Sequence, residues 1–185
     1  MEDAKIIELY WARSEEAISE TDSKYGKLCR YIAMNILANS EDSEECVNDT
    51  YLGAWNAIPS QRPGRFSAFI GKTTRNLALK KYEYLSAAKR NPEAVCSLSE
   101  LQDCVSGKDY IESELENRRI EKAISDFLWQ QDEEKRTAFI RRYWYFEPIG
   151  SICARSGWSR SKLTSMLYHI RQKLKAYLES EGIEL

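Results

Sequence analysis

The chain has 185 residues, enough for one medium domain or two small ones. Apolar residues make up 43% and charged residues 30%, with only 8 Gly and 4 Pro, a globular profile in which helix is the default. No apolar run approaches the roughly 20 residues of a membrane span. The acidic start Met1-Glu2-Asp3-Ala4-Lys5 is unlike a signal peptide, so a cytoplasmic protein without membrane insertion is expected.

Five cysteines accompany a single histidine, His169, and no C-x-x-C occurs. Cys29, Cys46 and Cys153 fall on apolar helix stripes, where cysteine behaves as a small hydrophobe, and Cys96 and Cys104 lie in a linker. No structural zinc ligand set is visible, so neither metal nor cofactor is expected.

The net charge of −2 conceals strong blocks. Residues 1–59 carry 5 Lys+Arg against 12 Asp+Glu, and residues 60–90 carry 8 against 1. Residues 91–154 carry 8 against 13, residues 155–175 carry 6 against 0, and the last ten add −3. Two basic blocks alternating with acidic ones are candidate phosphate-facing surfaces.

In chain order, residues 4–18 read as a helix on Ile6, Ile7, Tyr10, Trp11 and Ile18. Thr21-Asp22-Ser23 is a predicted break and N-cap, before a second helix over 24–38. Ser43 or Asp42 can cap a third, running to about Ile58. Its apolar stripe is Cys46, Val47, Thr50, Tyr51, Ala54, Trp55 and Ile58; Glu45, Asn48, Asp49, Leu52 and Asn56 fall opposite. Pro59 to Arg65 form a loop with two prolines and a glycine. A long helix over 66–88 then turns Phe66, Phe69, Ile70, Thr73 and Leu77 inward. It turns Lys72, Arg75, Asn76, Leu79 and Lys80 outward. Residues 91–116 read as a linker with at most a short helical turn at 98–101. Helices are expected at 116–130, 132–145, 148–156 and from Ser159 to about Ser180.

Pro148 to Leu167 have helix-turn-helix spacing. Cys153 is the small residue at the helix contact, Gly157 supplies positive φ at the turn, Trp158 is an apolar plug and Ser159 an N-cap. Leu163, Leu167, Ile170 and Leu174 hold the second helix to its domain. Its outward face is read as Arg160, Lys162, Ser165, His169 and Arg171, chemistry suited to guanine edges and phosphates.

Two segments then point to a family. Asp42 to Trp55 (DSEECVNDTYLGAW) resembles the pattern D-A-E-D-L-V-Q-E-T-F-L-R-A-W of extracytoplasmic-function (ECF) RNA polymerase sigma factors of the sigma-70 family. Phe66 to Ala78 (FSAFIGKTTRNLA) is similar to that family's F-R-A-W-L-Y-R-I-A-R-N-L-A. Ala138 to Tyr145 stands where the family has the helix before its helix-turn-helix. The resemblance implies an all-α fold of two small helical domains. Residues 1–90 would be a region 2-like domain, 91–116 a linker and 117–185 a region 4-like helix-turn-helix domain. It implies docking on the β′ clamp helices of core RNA polymerase through Glu45, Asn48, Asp49 and Leu52, an acidic, amide-bearing face suited to a basic partner. Trp55 is read as core packing. The loop Ser60–Arg65 and helix 66–82 would hold the opened −10 strand, with Arg62, Arg65, Lys72, Arg75, Asn76 and Lys80 as contacts. Ser159, Arg160, Lys162, Ser165, His169 and Arg171 would meet the −35 duplex. Promoter DNA, the polymerase β subunit and an anti-sigma factor are further implied partners. The pattern departs from the family at Gly71, Lys80, Thr164 and Met166, and the helix at 4–18 lengthens its N-terminus.

The competing reading is a helix-turn-helix regulator that does not join core polymerase. The acidic 42–55 helix separates the two, since such a regulator has no need of it. A helical enzyme is disfavoured, because no phosphate loop, metal motif or nucleophile–base pair appears.

Overall fold

The computed structural model describes residues 1–85, 89–102 and 114–183. The predicted last turn of the 66–88 helix and linker residues 103–113, with Cys104, lie outside them. Among the described residues there are nine helices and no strand: α1 Asp3–Trp11, α2 Glu16–Leu37, α3 Ser40–Ala57, α4 Phe66–Tyr84, α5 Pro92–Gln102, α6 Glu114–Trp129, α7 Glu133–Tyr143, α8 Ile149–Ser156 and α9 Arg160–Ser180. None is long and apolar enough to cross a membrane. The chain divides into two compact units, Met1–Ala94 and Val95–Leu185, giving an all-α, two-domain layout.

In the first unit α2, α3 and α4 pack against one another and α1 closes the bundle. Ile6, Ile7 and Tyr10 of α1 enter a core with Cys29, Val47, Ala54, Phe66 and Ile70. The N-terminal extension is therefore part of the hydrophobic core.

The first two predicted helices have different boundaries. The break comes at residues 12–15, where Arg13 takes the left-handed region at φ +56°. Thr21-Asp22-Ser23 instead runs inside α2. The Thr21 hydroxyl is fully buried; it donates to the Ala17 carbonyl at 2.7 Å and accepts from the Tyr10 hydroxyl at 2.9 Å. Asp22 is likewise engaged sideways, accepting from the Tyr51 hydroxyl at 2.7 Å and pairing with Arg30 at 3.1 Å. That pairing crosses over Gly26, where a Cβ would run into both Asp22 and Arg30. Tertiary partners thus take the polar groups that would otherwise cap a new helix.

The cap of α3 is also displaced. Asn39, not Ser43 or Asp42, accepts the backbone N–H of Asp42 at 2.9 Å, and Ser43 is buried against the Asn39 carbonyl. Residues 92–102 form a full helix rather than a short turn. Pro92 starts it at a position where its missing N–H costs nothing, and the Asn91 side chain accepts the Glu93 N–H at 3.1 Å.

In the second unit α9 is the central helix, packed on α6, α7 and α8. Leu163, Leu167, Ile170, Leu174 and Leu178 of α9 are buried with Phe127, Phe139, Tyr143 and Ile152. The predicted apolar stripe of that helix is the one the fold buries.

Candidate nucleic-acid interface

The α3 helix buries Ser43, Cys46, Val47, Thr50, Tyr51 and Ala54. Glu45, Asn48, Asp49 and Leu52 are all exposed, at i, i+3, i+4 and i+7, so they form one stripe along the opposite side. Leu52 is an apolar side chain 57% exposed within this acidic row. Cys46 faces the other way; burial, with Asp49 nearby, pushes its thiol up to about 12, so it stays neutral packing.

Two contacts join α3 to α4. The buried Thr50 hydroxyl lies 3.2 Å from that of Thr74 and 2.8 Å from the Cys46 carbonyl, while Thr74 donates to the Ile70 carbonyl. At the surface the Lys81 ammonium bridges Asp42, at 2.9 Å, and Glu45. Glu45 therefore serves an intramolecular ion pair while remaining at the surface. Nothing in the sequence singles out Lys81, since a lysine on a basic helix carries no mark of its partner.

Phe66, Ile70, Gly71, Thr74, Ala78 and Tyr82 form the buried side of α4. Thr74 and Ala78, rather than Thr73 and Leu77, take the central inward positions; Thr73 and Leu77 are half-buried at the margin. Lys72, Asn76 and Lys80 are exposed in one i, i+4, i+8 row, as expected from the sequence. Arg75 is not fully outward. It is half-buried, and that burial draws its guanidinium below the ordinary arginine range. Arg62 and Arg65 are exposed on the loop leading into α4.

That loop begins where α3 loses its hydrogen bonding. Pro59 has no N–H to offer the carbonyl of Trp55. Arg13 supplies the donor, with its guanidinium 2.7 Å from that carbonyl and 5.2 Å from the centre of the Trp55 ring. Trp55 is half-buried against the core, its ring edge-on to Tyr10 at 6.2 Å. It packs in the core, and it also forms the seat for Arg13.

In the second unit, Gly157 ends α8 at φ +71° and its N–H reaches the Cys153 carbonyl at 2.9 Å. The Ser159 hydroxyl accepts the Lys162 N–H at 3.2 Å and caps α9. Cys153 and Trp158 pack partly buried on the core, and the Lys162 ammonium lies 4.6 Å over the Trp158 ring. The turn is therefore built as its sequence predicts.

Nothing local in the sequence marks the polar groups that support it. Glu147 is nearly fully buried, and its carboxylate pairs with Arg141 at 2.9 Å and with Arg155 at 3.0 Å. It ties the end of α7 to the end of α8, following Phe146, which is buried at φ +55°.

The predicted outward face of α9 separates into two sides. Lys162, Ser165 and His169 line a groove of 780 Å³ with Trp158, Met166 and Lys173. Arg160 is exposed in the first turn. Arg171 is not on that face: its side chain is 11% exposed, hydrogen-bonded to the Tyr143 hydroxyl and 3.3 Å from Glu100. The reason is rotation, since at about 100° per residue Arg171 lies on the opposite flank of α9 from His169. Glu100 of α5 also accepts from Tyr143 at 2.7 Å and pairs with the buried Arg142 at 3.2 Å. Burial pushes the Glu100 carboxyl up. The Tyr143 hydroxyl and the Arg142 guanidinium outweigh it and hold the pKa below the usual glutamate value. For Tyr143, burial and then the Glu100 carboxylate raise the phenol well above its ordinary value.

Taken together, the first unit offers an acidic stripe and a basic stripe on two helices fixed to each other. The second offers basic side chains at the capped start of α9, after the turn at Gly157. Among the described residues no cluster of His, Cys, Asp and Glu could hold a metal ion. No curated protein matches the chain. Residues 23–90, from within α2 to beyond α4 and all inside the first unit, match the family model of sigma-70 region 2.

Proposed function

We propose that the protein is a sigma factor of the ECF type that binds core RNA polymerase and directs promoter recognition, without catalysis of its own. One observation carries this reading. Within the domain that matches region 2, the exposed stripe Glu45-Asn48-Asp49-Leu52 and the exposed row Lys72-Asn76-Lys80 stand on two helices clasped through Thr50 and Thr74. An acidic, amide-bearing stripe around one exposed leucine fits a basic helical partner, here the β′ clamp helices. The basic row, with Arg62 and Arg65 on the preceding loop, fits the phosphates of the opened −10 strand.

Residues 117–185 would act as the region 4-like domain. Ser159, Arg160, Lys162, Ser165 and His169 would meet the −35 duplex from the capped start of α9. Arg171 acts by holding α9 to Tyr143 and Glu100. The protein would work in the cytoplasm, with core polymerase and promoter DNA as partners and an anti-sigma factor as a candidate regulator.

The test is in vitro transcription by core polymerase on a pool of promoter DNA, with and without this protein. Transcripts initiated at discrete start sites only in its presence are expected. Duplex binding by the protein alone, with no association with core and no new transcripts, would establish the helix-turn-helix regulator instead.

A further inference from the structure

Arg13 is an unusual residue at its position. It turns the chain between α1 and α2 at φ +56°, a backbone region in which glycine is the unstrained choice. It is an exposed arginine in the acidic first third of the chain. Its side chain is nonetheless held still, by a hydrogen bond to the Trp55 carbonyl and by the Trp55 ring beneath it. That bond uses one of the five guanidinium donors of an exposed side chain. Trp55 stands four residues before Pro59, where the loop carrying Arg62 and Arg65 departs.

We infer that Arg13 binds a backbone phosphate of single-stranded promoter DNA, with Trp55 as the positioning residue that fixes its guanidinium plane. The α1–α2 turn would thereby extend the strand-binding surface of the 59–65 loop. Three features support a nucleic-acid phosphate as ligand. The guanidinium is planar and always charged, and presents paired donors matched to phosphate oxygens. It is preorganised, so little side-chain freedom is lost on binding. It continues the basic character of a loop already assigned to the strand. The inference rests on the sigma-factor reading above.

The experiment measures binding of a fluorescent single-stranded −10 oligonucleotide to the full chain in complex with core polymerase, across a salt series. Three variants are compared. Arg13→Gly removes the cation and relieves the backbone. Arg13→Gln keeps a donor for the Trp55 carbonyl without charge. Arg13→Lys keeps the charge. Losing one phosphate contact on a single strand lowers the slope of log K against log salt by about 0.7. That loss is expected for Arg13→Gly and Arg13→Gln, with affinity several-fold weaker at low salt, and Arg13→Lys should retain the wild-type slope. Thermal unfolding of each variant reports the fold separately. An unchanged slope in both uncharged variants overturns the inference, even if affinity falls, because that pattern belongs to a cap on α3 alone. If the wild-type complex itself does not bind the single strand, the sigma-factor reading and this inference fail together.

Discussion

The hydroxyl oxygens of Thr50 and Thr74 lie 3.2 Å apart, both fully buried, at the crossing of α3 and α4. Each also reaches the carbonyl four residues earlier on its own helix. A threonine pair at this crossing does what two alanines could not: it sets the register between the helix carrying the acidic stripe and the helix carrying the basic row. Thr50→Val keeps the shape and removes the hydroxyl, while Thr74 retains its own acceptor. The variant should lose about 1 kcal/mol of stability, read as a lowered midpoint in chemical unfolding. A second expected effect is weaker transcription at unchanged core affinity, since only the spacing of the two stripes is loosened.

Asp49 and Glu45 should respond differently to charge reversal. Asp49→Lys alters the exposed stripe alone and should weaken core binding at least tenfold, about 1.4 kcal/mol. Glu45→Lys also sets two lysines against each other at Lys81, so it should lower thermal stability as well as core affinity. Core binding by both variants equal to wild type would remove α3 from the docking surface. Pull-down on core polymerase and differential scanning measure the two effects.

Lys162 and Arg171 make a contrasting pair on α9. Lys162→Ala should lower the salt slope of −35 duplex binding by about 0.9, the loss of one phosphate on double-stranded DNA. Arg171→Ala should leave that slope unchanged and destabilise the second unit, because it withdraws a cation from Glu100 and a donor from Tyr143. A reduced slope in Arg171→Ala would return that residue to the DNA face.

Glu100 gives the second unit a pH dependence of definite sign. Its pKa is lowered in the folded state, below the ordinary 4.5. The stabilisation is therefore complete above the unfolded value and is lost as pH falls through the folded one. As pH falls from the ordinary glutamate value of 4.5 through the lower folded-state one, wild type should lose stability faster than Glu100→Gln, whose side chain does not titrate. Unfolding midpoints across that range measure it, and parallel curves for the two proteins would contradict the assignment.

The sequence by itself determined the helical class, the order of most helices, the exposed stripes of α3 and α4 and the turn at Gly157 and Ser159. Each rests on local physics: apolar residues recurring at the helical period, a loop punctuated by Pro59, Pro63 and Gly64, a glycine where φ is positive and a serine capping the next N–H groups. The tertiary structure alone decided the rest, because the deciding partners are far apart in the chain. Thr21 reads as a helix break until the Tyr10 hydroxyl fills its second bond. Arg171 reads as a DNA contact until Glu100, 71 residues away, meets it on the other flank of α9. Nothing local marks Glu147 for burial, and only the packed chain brings Arg141 and Arg155 onto its carboxylate. Arg13 reads as one more charge until Trp55, 42 residues on, offers a carbonyl that Pro59 cannot satisfy. A buried or half-buried polar group must find a partner. Local periodicity says which groups turn inward, and only the packed chain says which of them meet.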